Sequence, residues 1–341
     1  MKLAALAALL ALMPARAQYA ARRSGEALFL EDRKNQTTVA IAPSVGNIAF
    51  EMTVKGKNLF WFPFASVEEF RKKPALCGNP LLAPWANRLD ENAFYANGKK
   101  YTLNPGLGNL RMDGFQHPIH GLLLFASDWQ VTALKADSKG AWATSRLEFS
   151  RRPDWMAQFP FAHAIEMTYR LSGGALEVAT RVTNQSADSM PLSLGYHPYF
   201  QVHDAPRDAW TVKLAAASEW LLSKELIPTG RTRPIRELVP DPDAVPLKGR
   251  ALDNVFGELS DRATFSVQGK TQKIEVVYGP KYPVAVVYAP QGQNRDFICF
   301  EPMTGITNAF NLAHRGVYKA LQTIPPGQSW QESFWIRPSG F

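Results

Sequence analysis

The chain has 341 residues, 46% hydrophobic and 20% charged, with 38 Lys and Arg against 30 Asp and Glu for a formal charge of +8. A chain of this size buries most of its surface on folding, and its two cysteines, Cys77 and Cys299, are too few for the disulfide framework of small secreted domains. The basic residues are scattered and form no long run, which excludes the footprint of a nucleic-acid binder.

In chain order, the first segment is Lys2, an apolar run from Leu3 to Met13 and the small-residue stretch Ala15-Arg16-Ala17. That order predicts an export signal cleaved after Ala17, and the run is shorter than the roughly 20 residues a membrane span needs. Without it the balance is 36 Lys and Arg against 30 acids, or +6, and a mature chain of 324 residues (341 less 17) is expected outside the cytoplasm, periplasmic or extracellular. There Cys77 and Cys299 are compatible either with one disulfide or with two buried thiols.

Period-two alternation predicts strands at 37–41, 47–54, 129–134 and 142–149. Ser66 followed by Glu69 makes a capping box, hence a short helix at 66–73. The clearest alternation is Ile165, Met167, Tyr169 and Leu171, resumed after Ser172-Gly173-Gly174 by Leu176, Val178, Thr180 and Val182, which predicts an antiparallel hairpin. Further strands are predicted at 210–214, 274–278, 284–288 and 330–336, and the Pro- and charge-rich stretch 231–250 reads as a long surface loop. Helical periodicity is otherwise nearly absent. The expected fold is therefore all-β, a large antiparallel sandwich with very few short helices and a single domain over 18–341.

Five polar clusters sit among apolar, Gly and Pro residues, where uncompensated polarity is costly. They are Pro84-Trp85-Ala86-Asn87-Arg88, His117-Pro118-Ile119-His120-Gly121, Gly195-Tyr196-His197-Pro198-Tyr199-Phe200, Leu252-Asp253-Asn254-Val255-Phe256 and Phe300-Glu301-Pro302-Met303-Thr304. Taken singly, each has an ordinary structural account. Arg88 fits a surface or structural ion pair, and His197 fits a satisfied interior histidine. His117 and His120 do not read as a metal pair, because Pro118 breaks the helix that would align them and no third ligand follows at a matching spacing. Glu301 carries the strongest local signal, since it ends an apolar strand just before Pro302, and a buried glutamate usually has a partner or a task.

Taken together, PWANR at 84–88, HG at 120–121, GYHPYF at 195–200, LDNVF at 252–256 and FEPMT at 300–304 resemble, in order, the motifs of the aldose 1-epimerase (galactose mutarotase) family. The resemblance implies that family's β-sandwich and the interconversion of the α and β anomers of a free aldose. It also implies Glu301 as general base and His197 as general acid, with Arg88, His120, Asp253 and Asn87 as ligands of sugar hydroxyls. Asn308 departs from the pattern, standing where relatives often carry an acid, and the segment around His120 is richer in leucine; both bear on sugar preference more than on reaction type.

Opening the ring requires a proton to leave the anomeric hydroxyl while another reaches the ring oxygen. An ionised Glu301 beside a charged His197 would suffice, with no metal or cofactor. Trp85, Trp129, Phe125 and Tyr199 are candidates to stack on the sugar. Three other readings follow from the same residues: a hexose-6-phosphate 1-epimerase, a non-catalytic carbohydrate-binding protein of the same fold, and a glycosidase using Asp253 with Glu301. The only partner expected is a small sugar, on a monomer or weak dimer.

Overall fold

The computed structural model describes residues 17–341, so the expected leader lies, but for Ala17, outside the described residues. Among the described residues the architecture is a stack of antiparallel sheets with four short α-helices. Among the described residues, no helix is long and apolar enough to cross a membrane.

The hairpin read from alternation lies at the centre of a nine-stranded sheet. His163–Ser172 pairs with Ala175–Asn184, with Ile165 facing Val182, Met167 facing Thr180 and Tyr169 facing Val178, so both apolar sets share one face. Gly173 and Gly174 have φ of 58° and 76°, the two left-handed residues that a tight hairpin turn demands. Ala141–Glu148 and Gln130–Ala136 extend the sheet on one side, and Ser329–Ser339, Lys273–Tyr278, Thr264–Gln268, Thr211–Lys213 and Val245–Pro246 extend it on the other.

Opposite lies an eight-stranded sheet. Its order is Pro228–Pro234, Ala216–Leu222, Leu252–Leu259, Val284–Ala289, Ile298–Met303, Gly195–Tyr196 and Leu81–Leu82, with Tyr199–Phe200 also paired to Ile298–Met303. The two sheets meet through aromatic contacts such as Tyr196 with Phe334 at 5.0 Å and Phe300 with Phe265 at 6.1 Å. A five-stranded meander, Tyr19–Ser24 to Lys57–Asn58, adds Leu28, Leu30, Val39 and Ile41 to the same core, and the Tyr169 hydroxyl donates to the Asn47 carbonyl at 2.9 Å.

Two local expectations need correction. Part of the stretch 231–250 is regular: Pro228–Pro234 pairs with Ala216–Leu222, and the helix Ile235–Leu238 follows. The prolines hid this strand from its sequence, but at a sheet edge a missing N–H breaks no ladder. The helix Val67–Lys72 is capped by Ser66, which accepts from the Glu69 N–H, yet the Glu69 carboxylate returns to Ala65 rather than Ser66. Cys77 and Cys299 are both buried free thiols, which settles the alternative in favour of packing.

Candidate active site

Alternation along Ile298–Met303 decides which way Glu301 points. Ile298 and Phe300 enter the central core, so Cys299, Glu301 and Met303 face the opposite side of the sheet. The neighbouring strands repeat the division. Val286 lies beside Glu301 and Val255 beside Val286, while Tyr288 lies beside Cys299 and Asp253 beside Tyr288. Glu301, Val286, Tyr288 and Asp253 thus share one face and line one cavity of about 220 Å³.

Strand register brings His197 to the same place. Gly195 pairs with Met303, Tyr199 with Cys299 and Phe200 with Ile298, so position 197 falls level with 301. Pro198 interrupts the ladder between the two short strands, and the His197 N–H donates sideways to the Pro80 carbonyl at 3.0 Å. Tyr196 and Phe200 enter the core, which turns His197 and Tyr199 toward the cavity. The His197 ring stacks on Tyr199 with centroids 4.6 Å apart and planes 4° from parallel, and its Nε2 lies 3.3 Å from Glu301 Oε1.

The remaining wall comes from irregular chain that strained backbone holds in place. His120 and Gly121 are both left-handed, with φ of 65° and 67°, and a Cβ on Gly121 would lie 2.1 Å from the Ala83 carbonyl oxygen. Only glycine permits that approach. It delivers the His120 ring edge-on to His197 at 5.6 Å, while the His120 N–H donates to the Asn87 carbonyl at 2.9 Å. Asn87 itself has a φ of 57°, and its side-chain oxygen accepts from Arg88 Nη1 at 2.9 Å. Arg88 Nε donates to Asp113 at 2.7 Å.

All six residues singled out from sequence, Asn87, Arg88, His120, His197, Asp253 and Glu301, therefore line one cavity, joined by Leu76, Ile119, Tyr199, Val286 and Tyr288. Glu301 Oε2, His197 Nδ1 and His120 Nδ1 are buried without a hydrogen-bond partner in the protein. Buried polar atoms are ordinarily paired, so three orphans in one small space mark a site built for a polar ligand.

Burial governs the charge states. It pushes Glu301 well above the ordinary carboxylate value, helped by the Asp253 carboxylate and opposed by Arg88. It also pushes His197 down to about 3. His120 is held well below the ordinary histidine range, first by burial and then by the charges of His197, Arg111 and Arg88. Asp253, at the mouth and still open to solvent on one side, is raised by its partial enclosure against the pull of Arg88. The expectation of an ionised Glu301 facing a charged His197 is corrected accordingly: with the protein's own groups alone, desolvation favours the uncharged form of each.

Three of the four proposed stacking aromatics are elsewhere. Trp85 and Trp129 belong to the central core, and Phe125 borders a separate cleft; only Tyr199 reaches the cavity. His117 turns away toward Asp113 and Glu225, at 3.8 and 3.6 Å. Asn308 is buried outside the cavity lining; its N–H donates to the Arg88 carbonyl at 2.9 Å and its side-chain oxygen accepts from the Asp90 N–H at 3.3 Å. Sequence reasoning passed over Tyr288, which follows Val286 at strand parity, and Asp113, which lies in irregular chain with no period to betray it.

A large antiparallel sandwich of this kind is the fold of the galactose mutarotase-like proteins. The chain belongs to the aldose 1-epimerase family, whose model matches residues 30–337. The uncharacterized protein YphB of Escherichia coli K12 is 24% identical over 261 residues, 75% of this chain and 82% of its own. Among solved structures, a galactose mutarotase-like protein from Clostridium acetobutylicum superimposes with a TM-score of 0.81 at 21% identity, covering 95% of this chain and 98% of its own. The galactose 1-epimerase of Lactobacillus acidophilus NCFM gives 0.69 at 15% identity, covering 95% and 98%.

Proposed function

We propose that this protein is an aldose 1-epimerase acting on an uncharged sugar, with Glu301 and His197 as its proton-transfer pair. The observation that carries the reading is their 3.3 Å contact inside a cavity with room for little more than one sugar ring. Either arrangement of the pair, carboxylic acid with imidazole or carboxylate with imidazolium, holds the same proton. Burial favours the first, and sugar hydroxyls donating to the carboxylate, together with Arg88, favour the second.

From the ionised arrangement, Glu301 takes the proton of the anomeric hydroxyl while His197 gives one to the ring oxygen, and the C1–O5 bond opens to the aldehyde. Rotation about C1–C2 presents the other carbonyl face. Closure reverses both transfers: O5 returns its proton to His197 as it attacks C1, and Glu301 gives its proton to O1. Arg88, Asn87, His120 and Asp253 hold the remaining hydroxyls, the neutral His120 being able both to donate and to accept.

The charge of the lining supports an unphosphorylated substrate. Arg88 is the one Lys or Arg in it, already paired with Asp113, and it stands against the carboxyl groups of Asp253 and Glu301. The export signal expected at the N-terminus agrees with this, since a protein outside the cytoplasm meets free sugars; we propose that location together with the activity.

The decisive experiment is polarimetry on freshly dissolved α-glucose and α-galactose. The wild-type chain should speed the approach to anomeric equilibrium, and Glu301→Gln, which keeps shape and loses basicity, should cut the rate by about 10²- to 10⁴-fold with unchanged circular dichroism. His197→Asn should cost a comparable factor. A Glu301→Gln variant at the wild-type rate removes Glu301 from the base role.

A further inference from the structure

Asp113 does not line the cavity, yet it makes the shortest polar contact to Arg88, a residue that does. Its Oδ2 accepts from Arg88 Nε at 2.7 Å, and the two side chains are only 7% and 15% exposed. The other carboxylate oxygen accepts from the backbone N–H groups of Phe115 and His117, both at 2.9 Å. Asp113 is thus fixed by its own loop before it meets Arg88. The Asn87 side-chain oxygen accepts from Arg88 Nη1 on a second side, so the guanidinium is held from two sides in the cavity wall.

From this geometry we infer that Asp113 is a positioning residue that sets substrate class: it aims the Arg88 fork at sugar hydroxyls and cancels its charge, so that the site takes neutral aldoses and turns away anionic ones. The inference rests on the proposed activity and adds to it the group that selects the substrate. Burial acts to raise the Asp113 carboxyl, but the N–H of His117 and the Arg88 guanidinium outweigh it and hold the group below the ordinary carboxylate range, so it is ionised at neutral pH. Without that anion Arg88 would stand as an uncompensated cation in a poorly solvated wall, which is how proteins bind phosphate and carboxylate groups. With it, a sugar phosphate meets Asp253 and Glu301, and the one cation in the lining is already paired. Asp113 also shields Glu301, whose ionisation Arg88 favours.

The test compares glucose with glucose 6-phosphate on the full chain, by mutarotation rate and, independently of turnover, by ligand-observed NMR binding. Wild type should favour glucose. Asp113→Asn, which still offers an acceptor to the loop, and Asp113→Ser, a second variant should the first fold poorly, should each shift the affinity ratio toward the phosphate by about tenfold. The shift should shrink as salt approaches about 1 M, and R88Q added to D113N should reverse it. The glucose KM should rise more than kcat falls, and the basic limb of the pH profile should move to lower pH as the uncovered Arg88 favours ionised Glu301. A folded D113N with an unchanged ratio, or equal losses on both sugars, overturns the role of Asp113 and leaves the epimerase reading standing. Wild type that binds both sugars but speeds neither overturns the epimerase reading, while the binding ratio still decides the role of Asp113.

Discussion

His197 Nε2 and Glu301 Oε1 stand 3.3 Å apart, placed there by the pairing of Gly195 with Met303 and of Tyr199 with Cys299 on either side. Because the two groups touch, they titrate as a pair, and the number of protons on the pair matters more than which member carries one.

The first prediction is a broad pH profile. The proposed reaction needs one proton on the pair. A second proton is taken up only as the pH approaches the depressed His197 value of about 3, and the single proton is lost only above the raised Glu301 value. After subtraction of the spontaneous rate, the acid limb of kcat/KM should lie near the depressed His197 value of about 3, far below the pH of about 6.5 at which an unperturbed histidine titrates. An acid limb centred at about pH 6.5 would show His197 titrating as an isolated, unperturbed histidine.

The second concerns the support of His197. Tyr199 stacks on its ring, and behind Tyr199 lie Trp61 at 5.9 Å and Phe297 at 4.9 Å. Tyr199→Phe keeps this stack and should keep kcat within about threefold, whereas Tyr199→Ala opens a cavity behind His197 and should cost about 3 kcal/mol in stability and at least tenfold in kcat. Urea unfolding and polarimetry on the two variants separate the effects. A tyrosine hydroxyl with a proton-transfer role would instead show itself as a large loss in Tyr199→Phe.

The third concerns stability in acid. His163 is 1% exposed, stacks on Phe149 at 4.3 Å, and is lowered by burial from 6.5 to about 4. Between those values the unfolded chain binds a proton that the folded chain refuses, so stability falls as pH drops from about 6.5 toward 4. For His163 alone the loss between pH 7 and pH 5 is about 2 kcal/mol. His163→Gln should lower stability at pH 7 and flatten this dependence, read from urea midpoints at the two pH values. An equal slope in the variant would assign the acid sensitivity to other groups, His120 and His197 first among them.

Much of the architecture was legible because its cause is local. The alternation from Ile165 to Val182 contains both the strands and their buried face, and the two glycines between them contain the turn, since side-chain direction follows backbone period. The edge strand Pro228–Pro234 was illegible for the same reason: its pairing is set by a neighbour and not by its own period. Asn87, Arg88, His120, His197, Asp253 and Glu301 could be singled out as polar groups in apolar settings and as members of ordered motifs.

What residue order determined was therefore parity and composition: that Glu301 and Phe300 face opposite ways, and that His197 is flanked by residues bound for the core. Only the folded chain decided that position 197 lies level with 301, that Asp113 grips Arg88, and that three of four candidate stacking aromatics are packed elsewhere. These depend on strand register and loop closure between distant segments, and so do the charge states, because the desolvation that moves Glu301 up and His197 down exists only once both are enclosed.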